Sequence, residues 1–342
     1  MPAKKIPAAQ RNLPSDSRPV RIGCLPLVDS APLVAAQALG IFTAHGVAVK
    51  LNWELGWANI RESIHYRQLD CAHAIAGLVF AMRAGTGAAS TPVFAPFVFN
   101  LHGNAVTLSL ALWKRGVRDA ASLGKYVRSN IGAPLTFAAV SRFSTHYFLL
   151  RSWLTNCGLN PDKDVRLVIL PPRLMPECMA AGLLDGFCSG EPWNSVAVSE
   201  GSGWCPALSS DLAPGHPEKV LLVHEKFAAE SPGRLQRLLA ALSESCRWCD
   251  APKNRRRLAE ILADTGHFPK CRVLEASLIG PFPDGAGGSR DASSLIIFHR
   301  QDANQPTAGR GEWILNELIR HEVLPKDSRR DELLRLCWRQ AS

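Results

Sequence analysis

Short apolar runs of strand length alternate with helical patterns along this chain, and that rhythm limits its fold more than any other feature. RIGCLPL (21–27), VAVKLNWEL (47–55), DCAHAIAGL (70–78) and TPVFAPFVFN (91–100) each fit a strand. Between them, 31–46 is a helical pattern with Pro32 near its start and Gly40 and Gly46 as terminators, and 58–68 is a short amphipathic helix. Strand, helix and strand in this order predict a parallel sheet covered by helices. The rhythm then restarts. LSLALW (108–113) and LTFAAV (135–140) are strand-like, 146–158 is a helix closing at Gly158, and 164–172 is a strand. A helix at 175–186 runs into a turn, 186–193 is another short strand, and 220–228 follows. Beyond it the pattern is mostly helical, at 231–250 and 254–264. Two α/β lobes with chain segments crossing between them place a cleft between the lobes.

Composition excludes several function classes. Apolar residues make up 46% of the 342 and charged residues 20%, enough for a sizeable core in about two domains. The basic excess of +9 is diffuse. Its densest run, Lys253 with Arg255, Arg256 and Arg257, reads as a solvated helix face, without the interleaved aromatics of a nucleic-acid surface. No window is long and apolar enough for a membrane span. The first 20 residues are basic and Pro-rich, with no apolar signal region, and predict a loose leader on a cytoplasmic protein. Ten cysteines fit that compartment as reduced core residues. Only Cys246 and Cys249 form a C-x-x-C pair, and with no second pair at zinc spacing it reads as a helix-face coincidence. GAGGSR near 287 is a loop and not a phosphate-binding turn, because no Lys-Ser/Thr pair opens a helix after it. No Ser-His-Asp set, carboxylate pair or metal-ligand cluster suggests catalysis.

Ligands of open α/β sheets sit at the carboxyl ends of strands, and clefts between domains are favoured sites. That directs attention to 26–30, Trp57, 100–104, 141–146 and 190–193. In the last of these, Gly190, Glu191, Pro192 and Trp193 break a regular element. Asp29 and Ser30 precede a helix, so N-capping is their leading explanation, with an anion at that helix end second. Taken singly, a histidine is usually a core or surface residue, and His45, His65, His73, His216, His224, His267, His299 and His321 receive that reading.

The same positions carry a resemblance. PLVDSAPLVAAQALGIF, WANIRESI, NLHGNAVTLS, GLNPDKDVRLVILPP, MAAGLLDGFCSGEPWN and GHPEKVLLV resemble, in order, blocks of the nitrate- and bicarbonate-binding proteins of ABC transporters. The resemblance covers about residues 20 to 265. It implies the type II periplasmic-binding-protein fold, an α/β architecture of two lobes that close on a small ligand by hinge motion. The implied division is a leader at 1–19, a first lobe from 20–104 and 225–342, and a second lobe from 105–224. The family's anion pocket, carried over by position, falls on Trp57, His102, His146, Gly190 and Lys219, with His102 where relatives often have Gln. It implies no enzyme activity and no cofactor.

Chemistry agrees with those residue types. Nitrate is planar and singly charged, so its pocket needs several donors and one positive charge. Lys219 can supply the charge, His146 and His102 can donate from ring N–H groups, and Trp57 can form a wall or donate its indole N–H. Gly190 lets the backbone come close. Glu191 is expected to cap a helix or hold the other lobe instead of facing an anion.

The transport members are exported or lipid-anchored, and the leader here is neither. The resemblance is therefore closest to a cytoplasmic branch that senses nitrate or nitrite and controls nitrate-assimilation genes. The implied partner is an RNA-binding antiterminator protein, held without ligand and released when the lobes close. The alternative is a nitrate- or bicarbonate-binding subunit serving an ABC permease. An enzyme of the same fold, such as a pyrimidine synthase, would need a Cys-rich motif near the cleft, and the cysteines are scattered.

Overall fold

The computed structural model describes residues 18–130, 134–326 and 329–341. The expected leader therefore lies almost wholly outside the described residues. Eleven strands build the two main sheets and the crossing between them: β1 (Val20–Cys24), β2 (Val49–Trp53), β3 (Cys71–Ile75), β4 (Val93–Val98), β5 (Leu101–His102), β6 (Asn104–Ser109), β7 (Thr136–Ala139), β8 (Arg166–Ile169), β9 (Gly186–Gly190), β10 (Gly203–Leu208) and β11 (Lys219–His224).

The first sheet runs β2-β1-β3-β11-β4 and the second β8-β7-β9-β6-β10. In each, the first three strands are parallel and the last two are joined antiparallel. The sheets are thus mixed, not purely parallel as the rhythm predicts. The antiparallel strands are those on which the chain leaves one lobe for the other, and a returning strand has no helical crossover to keep it parallel. β11 pairs with β3 and β4, so 219–224 belongs to the first sheet and the expected start of the returning segment at 225 falls one strand late. A second correction concerns 271–290. Helix Cys271–Leu278 packs on helix Arg255–Asp264 of the first lobe and also on helix Trp193–Ser199 of the second, and beyond it the Cys205 N–H donates to the Asp284 carbonyl and Arg290 pairs with Asp211, so this segment bridges both lobes.

Strand alternation explains the layering. Val20, Ile22, Cys24, Cys71, Phe94, Leu221 and Val223 face helices Ala31–Ala38, Pro232–Asp250 and Arg255–Asp264. Ala72, Ala74, Val93, Ala95, Val220 and Leu222 face the opposite core, with helices Ala76–Ala84, Ala308–Arg320 and Arg330–Cys337. β3 is buried throughout, and Phe80, Phe94 and Phe137 are among the largest fully buried side chains, each contributing about 1.5–3 kcal/mol. The run expected as a strand at 108–113 divides, because Ser109 caps helix Leu110–Lys114 by accepting from the Leu112 N–H. Cys246 and Cys249 are buried free thiols on one helix. Among the described residues no helix is long and apolar enough to cross a membrane.

Two chain segments cross side by side between the lobes. The Phe99 N–H donates to the Lys219 carbonyl, Glu218 N–H to Asn100 carbonyl, and His102 N–H to His216 carbonyl. His102 sits at φ 61°, in the left-handed region that costs a non-glycine residue energy, and Gly103 follows at φ 102°. The Asn100 side chain holds this turn by donating to the His102 carbonyl at 2.8 Å.

Candidate functional site

The site is assembled from strand ends. Asp29 lies on the short turn after β1, and Trp57 opens helix Trp57–His65 after β2. Thr145 and His146 occupy the first turn of helix Thr145–Asn156 beyond β7, capped by Ser144. Gly190 ends β9, and Lys219 begins β11 with Glu218 just before it. Both lobes contribute, as ligand sites at carboxyl strand ends require.

At its centre is the Lys219 ammonium, which is 0% exposed. Its Nζ stands 2.8 Å from Asp29 Oδ2 and 2.6 Å from Glu218 Oε1, and 5.5 Å from the centroid of the Trp57 ring. Asp29 Oδ1 is 3.0 Å from His73 Nε2. Glu218 Oε2 accepts from the Asn104 side-chain amide at 2.7 Å and from the Thr145 hydroxyl. His146 Nε2 is 3.8 Å from Glu218 Oε1, too far for a hydrogen bond.

Burial and charge act against each other here. Burial opposes ionisation of Asp29, yet Lys219 and His73 hold it far below the usual carboxylate range. Burial raises Glu218 above its ordinary value against the pull of Lys219. Lys219 is raised, because Asp29 and Glu218 outweigh its own desolvation. Burial lowers His73 and, with the nearby Lys219 charge, lowers His146 strongly, so both rings are neutral.

Several buried polar atoms around this ammonium have no hydrogen-bond partner among the described residues: Trp57 Nε1, His73 Nδ1, Asn104 Oδ1 and both ring nitrogens of His146. Unpaired buried groups are costly and rare in folded proteins. Of these, Trp57 Nε1 and one His146 nitrogen can donate, while Asn104 Oδ1 and His73 Nδ1, whose ring turns its N–H to Asp29, can only accept, so the group around this buried cation offers both donors and acceptors to a small polar ligand. Gly190 shapes the same place, since a Cβ there would stand 3.5 Å from both Asp29 Oδ2 and Asn104 Oδ1. Among the described residues no three His, Cys, Asp or Glu side chains are arranged to hold a metal ion.

The structure thus brings together Trp57, His146, Gly190 and Lys219 of the five expected residues. It does not bring His102 to them. The His102 Nδ1–H donates to the Ser294 carbonyl at 2.9 Å and Nε2 accepts the Gly215 N–H at 2.7 Å, so neither ring nitrogen is free to meet an anion. His102 ties the crossing segments together. Beside it, burial pushes His216 down to about 3. Glu191 does both things expected of it. Its Oε2 accepts the Ser195 N–H at 3.3 Å in the first turn of helix Trp193–Ser199, and its carbonyl accepts the Val28 N–H of the first lobe at 2.7 Å.

Asp29, Asn104 and Thr145 lie in the segments the sequence points to but without these roles, His73 is read there as a core or surface residue, and Glu218 is not singled out. Asp29 is not a cap: Ser30, at the helix start, makes no capping bond, and the Asp29 carboxylate turns to Lys219 and His73. One signal was available. His73 interrupts a wholly buried apolar strand and Lys219 opens another, and a polar residue in such a strand needs a partner.

The architecture and this site invite comparison with known proteins. The model of the NMT1-like family matches residues 14–263. The chain belongs to this family. It is 34% identical over 307 residues to the nitrate import ATP-binding protein NrtC of Synechocystis, covering 87% of this chain and 45% of that protein. It is 32% identical to the bicarbonate transport ATP-binding protein CmpC of Synechococcus elongatus, covering 93% and 48%. The chain thus spans about half the length of these curated relatives. With the nitrate/nitrite binding protein NrtA of Nostoc it shares 28% identity over 97% of this chain and 77% of that one. Among solved structures, the periplasmic nitrate-binding protein NrtA of Synechocystis superposes with a TM-score of 0.88 at 24% identity, covering 93% of this chain and 85% of that one. The alkanesulfonate-binding protein SsuA of Xanthomonas axonopodis superposes at 0.69 with 18% identity, covering 94% and 98%. The fold is the type II periplasmic-binding-protein fold, and the relatives at hand are proteins of nitrate and bicarbonate import.

Proposed function

We propose that this protein binds a small planar oxyanion, nitrate or nitrite before bicarbonate, and presents it to an ABC import system. The observation that carries this is the buried Lys219 ammonium with unpaired donors on Trp57 and His146 around it. The names of the relatives supply the ligand class: nitrate, nitrite and bicarbonate recur among them. The partner is then a permease, and the role is binding without catalysis. Calorimetric titration of the dialysed protein with nitrate, nitrite and bicarbonate tests this. Saturable binding of one of them at a single site is expected, and heat from none of them overturns it.

A second reading has its own support. Identity is higher with the ATP-binding import proteins, at 34%, than with the Nostoc binding protein, at 28%. The same module therefore occurs in proteins whose names are not those of binding subunits. In this reading the protein is a cytoplasmic nitrate or nitrite sensor, and closure of the lobes releases an RNA-binding antiterminator. A pull-down with and without nitrate separates the two: the sensor loses an RNA-binding partner on adding ligand, and the transport subunit has none to lose.

A further inference from the structure

The charges at the site do not balance for a bare anion. One ammonium, Lys219, already faces two carboxylates, Asp29 at 2.8 Å and Glu218 at 2.6 Å, and all three are at most 1% exposed. With both carboxylates ionised and both histidines neutral, the cluster carries one net negative charge. An added anion makes that two, in a place where water cannot screen them. Two like charges about 4 Å apart in a partly screened interior cost roughly a thousandfold in affinity.

We propose that the site takes its anion together with one proton, held on Glu218, so that it binds the pair and not the anion alone. This rests on the oxyanion reading above and adds a pH control to it. The groups facing Glu218 decide where the proton goes. Lys219 lies beside it on β11, and Asp29 stands on the far side of the same ammonium. Thr145 and His146 face it from the helix after β7, Asn104 from β6, and His216 at 3.9 Å from the crossing segment. Cys188 of β9 is close enough to feel its charge and stays a thiol. Asp29 remains ionised between Lys219 and His73. His146 and His216 are pushed down by burial. Glu218 alone among these carboxylates is pushed up by burial, and the Thr145 hydroxyl beside it can turn from donor to acceptor when Glu218 is protonated. A proton on Glu218 leaves Lys219 balanced against Asp29, and the arriving charge meets a neutral cluster.

Nitrate is the right probe because it stays ionised throughout, so any pH dependence belongs to the protein. The experiment is calorimetry of the full chain with nitrate from about pH 6 to about pH 9, in two cationic amine buffers of different heats of ionisation, which counts protons taken up. Above the pKa of Glu218, uptake of about one proton per nitrate is expected, with Kd rising about tenfold per pH unit. Glu218→Gln, which carries the neutral form permanently, is expected to bind nitrate with no proton uptake and a flat profile. Nitrate binding by the unaltered protein with a flat profile and no proton uptake overturns this proposal and leaves the oxyanion reading standing. A tenfold slope that persists in Glu218→Gln overturns the assignment to Glu218. Absence of nitrate binding at every pH, with nitrite or bicarbonate bound, overturns the proposal for nitrate, and binding of none of the three removes the oxyanion reading with it. Should Glu218→Gln fail to fold, the two-buffer measurement on the unaltered protein still decides whether a proton enters with nitrate, and Glu191→Gln, which removes the other buried carboxyl raised by burial, is expected to leave that uptake in place.

Discussion

His102 and His146 look alike in the sequence, each expected to donate a ring N–H to an anion, and the fold gives them opposite surroundings. Both are buried, at 4% and 0% exposed. His102 has a protein partner for each nitrogen, Ser294 and Gly215, and holds the crossing segments of the hinge. His146 has a partner for neither and stands beside Glu218 and Lys219. Burial alone therefore says nothing about function. A satisfied buried polar group stabilises the fold, whereas an unsatisfied one costs stability and is retained for something that arrives later.

The largest effect is expected at Lys219, which joins the two kinds of surroundings. Lys219→Ala leaves Asp29 and Glu218 buried without their cation, and breaking a buried pair in this way costs about 3–5 kcal/mol. Urea denaturation should show that loss, and calorimetry should show nitrate affinity down by roughly a hundredfold or more. Adding Asp29→Asn to Lys219→Ala removes one orphaned carboxylate. Stability is expected to recover in part while binding does not. Recovery of binding as well would mean that Lys219 serves only to neutralise Asp29.

Glu191 is the intermediate case, with Oε2 satisfied by the Ser195 N–H and Oε1 without a partner among the described residues. Burial pushes its carboxyl up to about 7. A raised pKa means that the fold prefers the neutral acid. Its contribution is therefore full below the unfolded value of about 4.3 and is lost as pH rises through about 7. The expected loss is on the order of 3 kcal/mol. Glu191→Gln lacks this titration, so its Tm relative to the unaltered protein should rise between about pH 5 and pH 8. Parallel Tm curves across that range would place the Glu191 pKa in the ordinary carboxylate range.

The alternation of apolar runs and helical patterns was enough to read two α/β lobes, because buried strands and amphipathic helices leave their period in the sequence. Strand direction was not readable. Whether VLLVH returns to the first sheet or stays in the second depends on the gap left between β3 and β4, which it fills, and that is a property of the assembled lobes. The site was half legible. Trp57, Gly190 and Lys219 stand in recognisable blocks, and so does Asp29, but Asp29 and His73 acquire their meaning only when β1 and β3 pair and bring a carboxylate and an imidazole within 3.0 Å. Asp29 before a helix looks the same in sequence whether it caps that helix or turns inward. His102 misled for the converse reason: its partners, Gly215 and Ser294, lie 113 and 192 positions away.

The finest test sets the two histidines against each other. His102→Ala strips the Gly215 N–H of its acceptor and the Ser294 carbonyl of its donor. Its cost is expected to appear as about 1–3 kcal/mol of stability, with nitrate affinity of the folded protein within about threefold of normal. His146→Ala removes a ring whose nitrogens bond to nothing in the described protein, so no hydrogen bond is lost on folding. The cavity it leaves costs some stability, and nitrate affinity is expected to fall at least about tenfold, one lost donor to a charged ligand. Paired denaturation and calorimetry on the two variants read both quantities. If His102→Ala weakens binding as much as His146→Ala does, the hinge and the pocket are one coupled unit, and the separation of the two histidines by their hydrogen bonds is wrong.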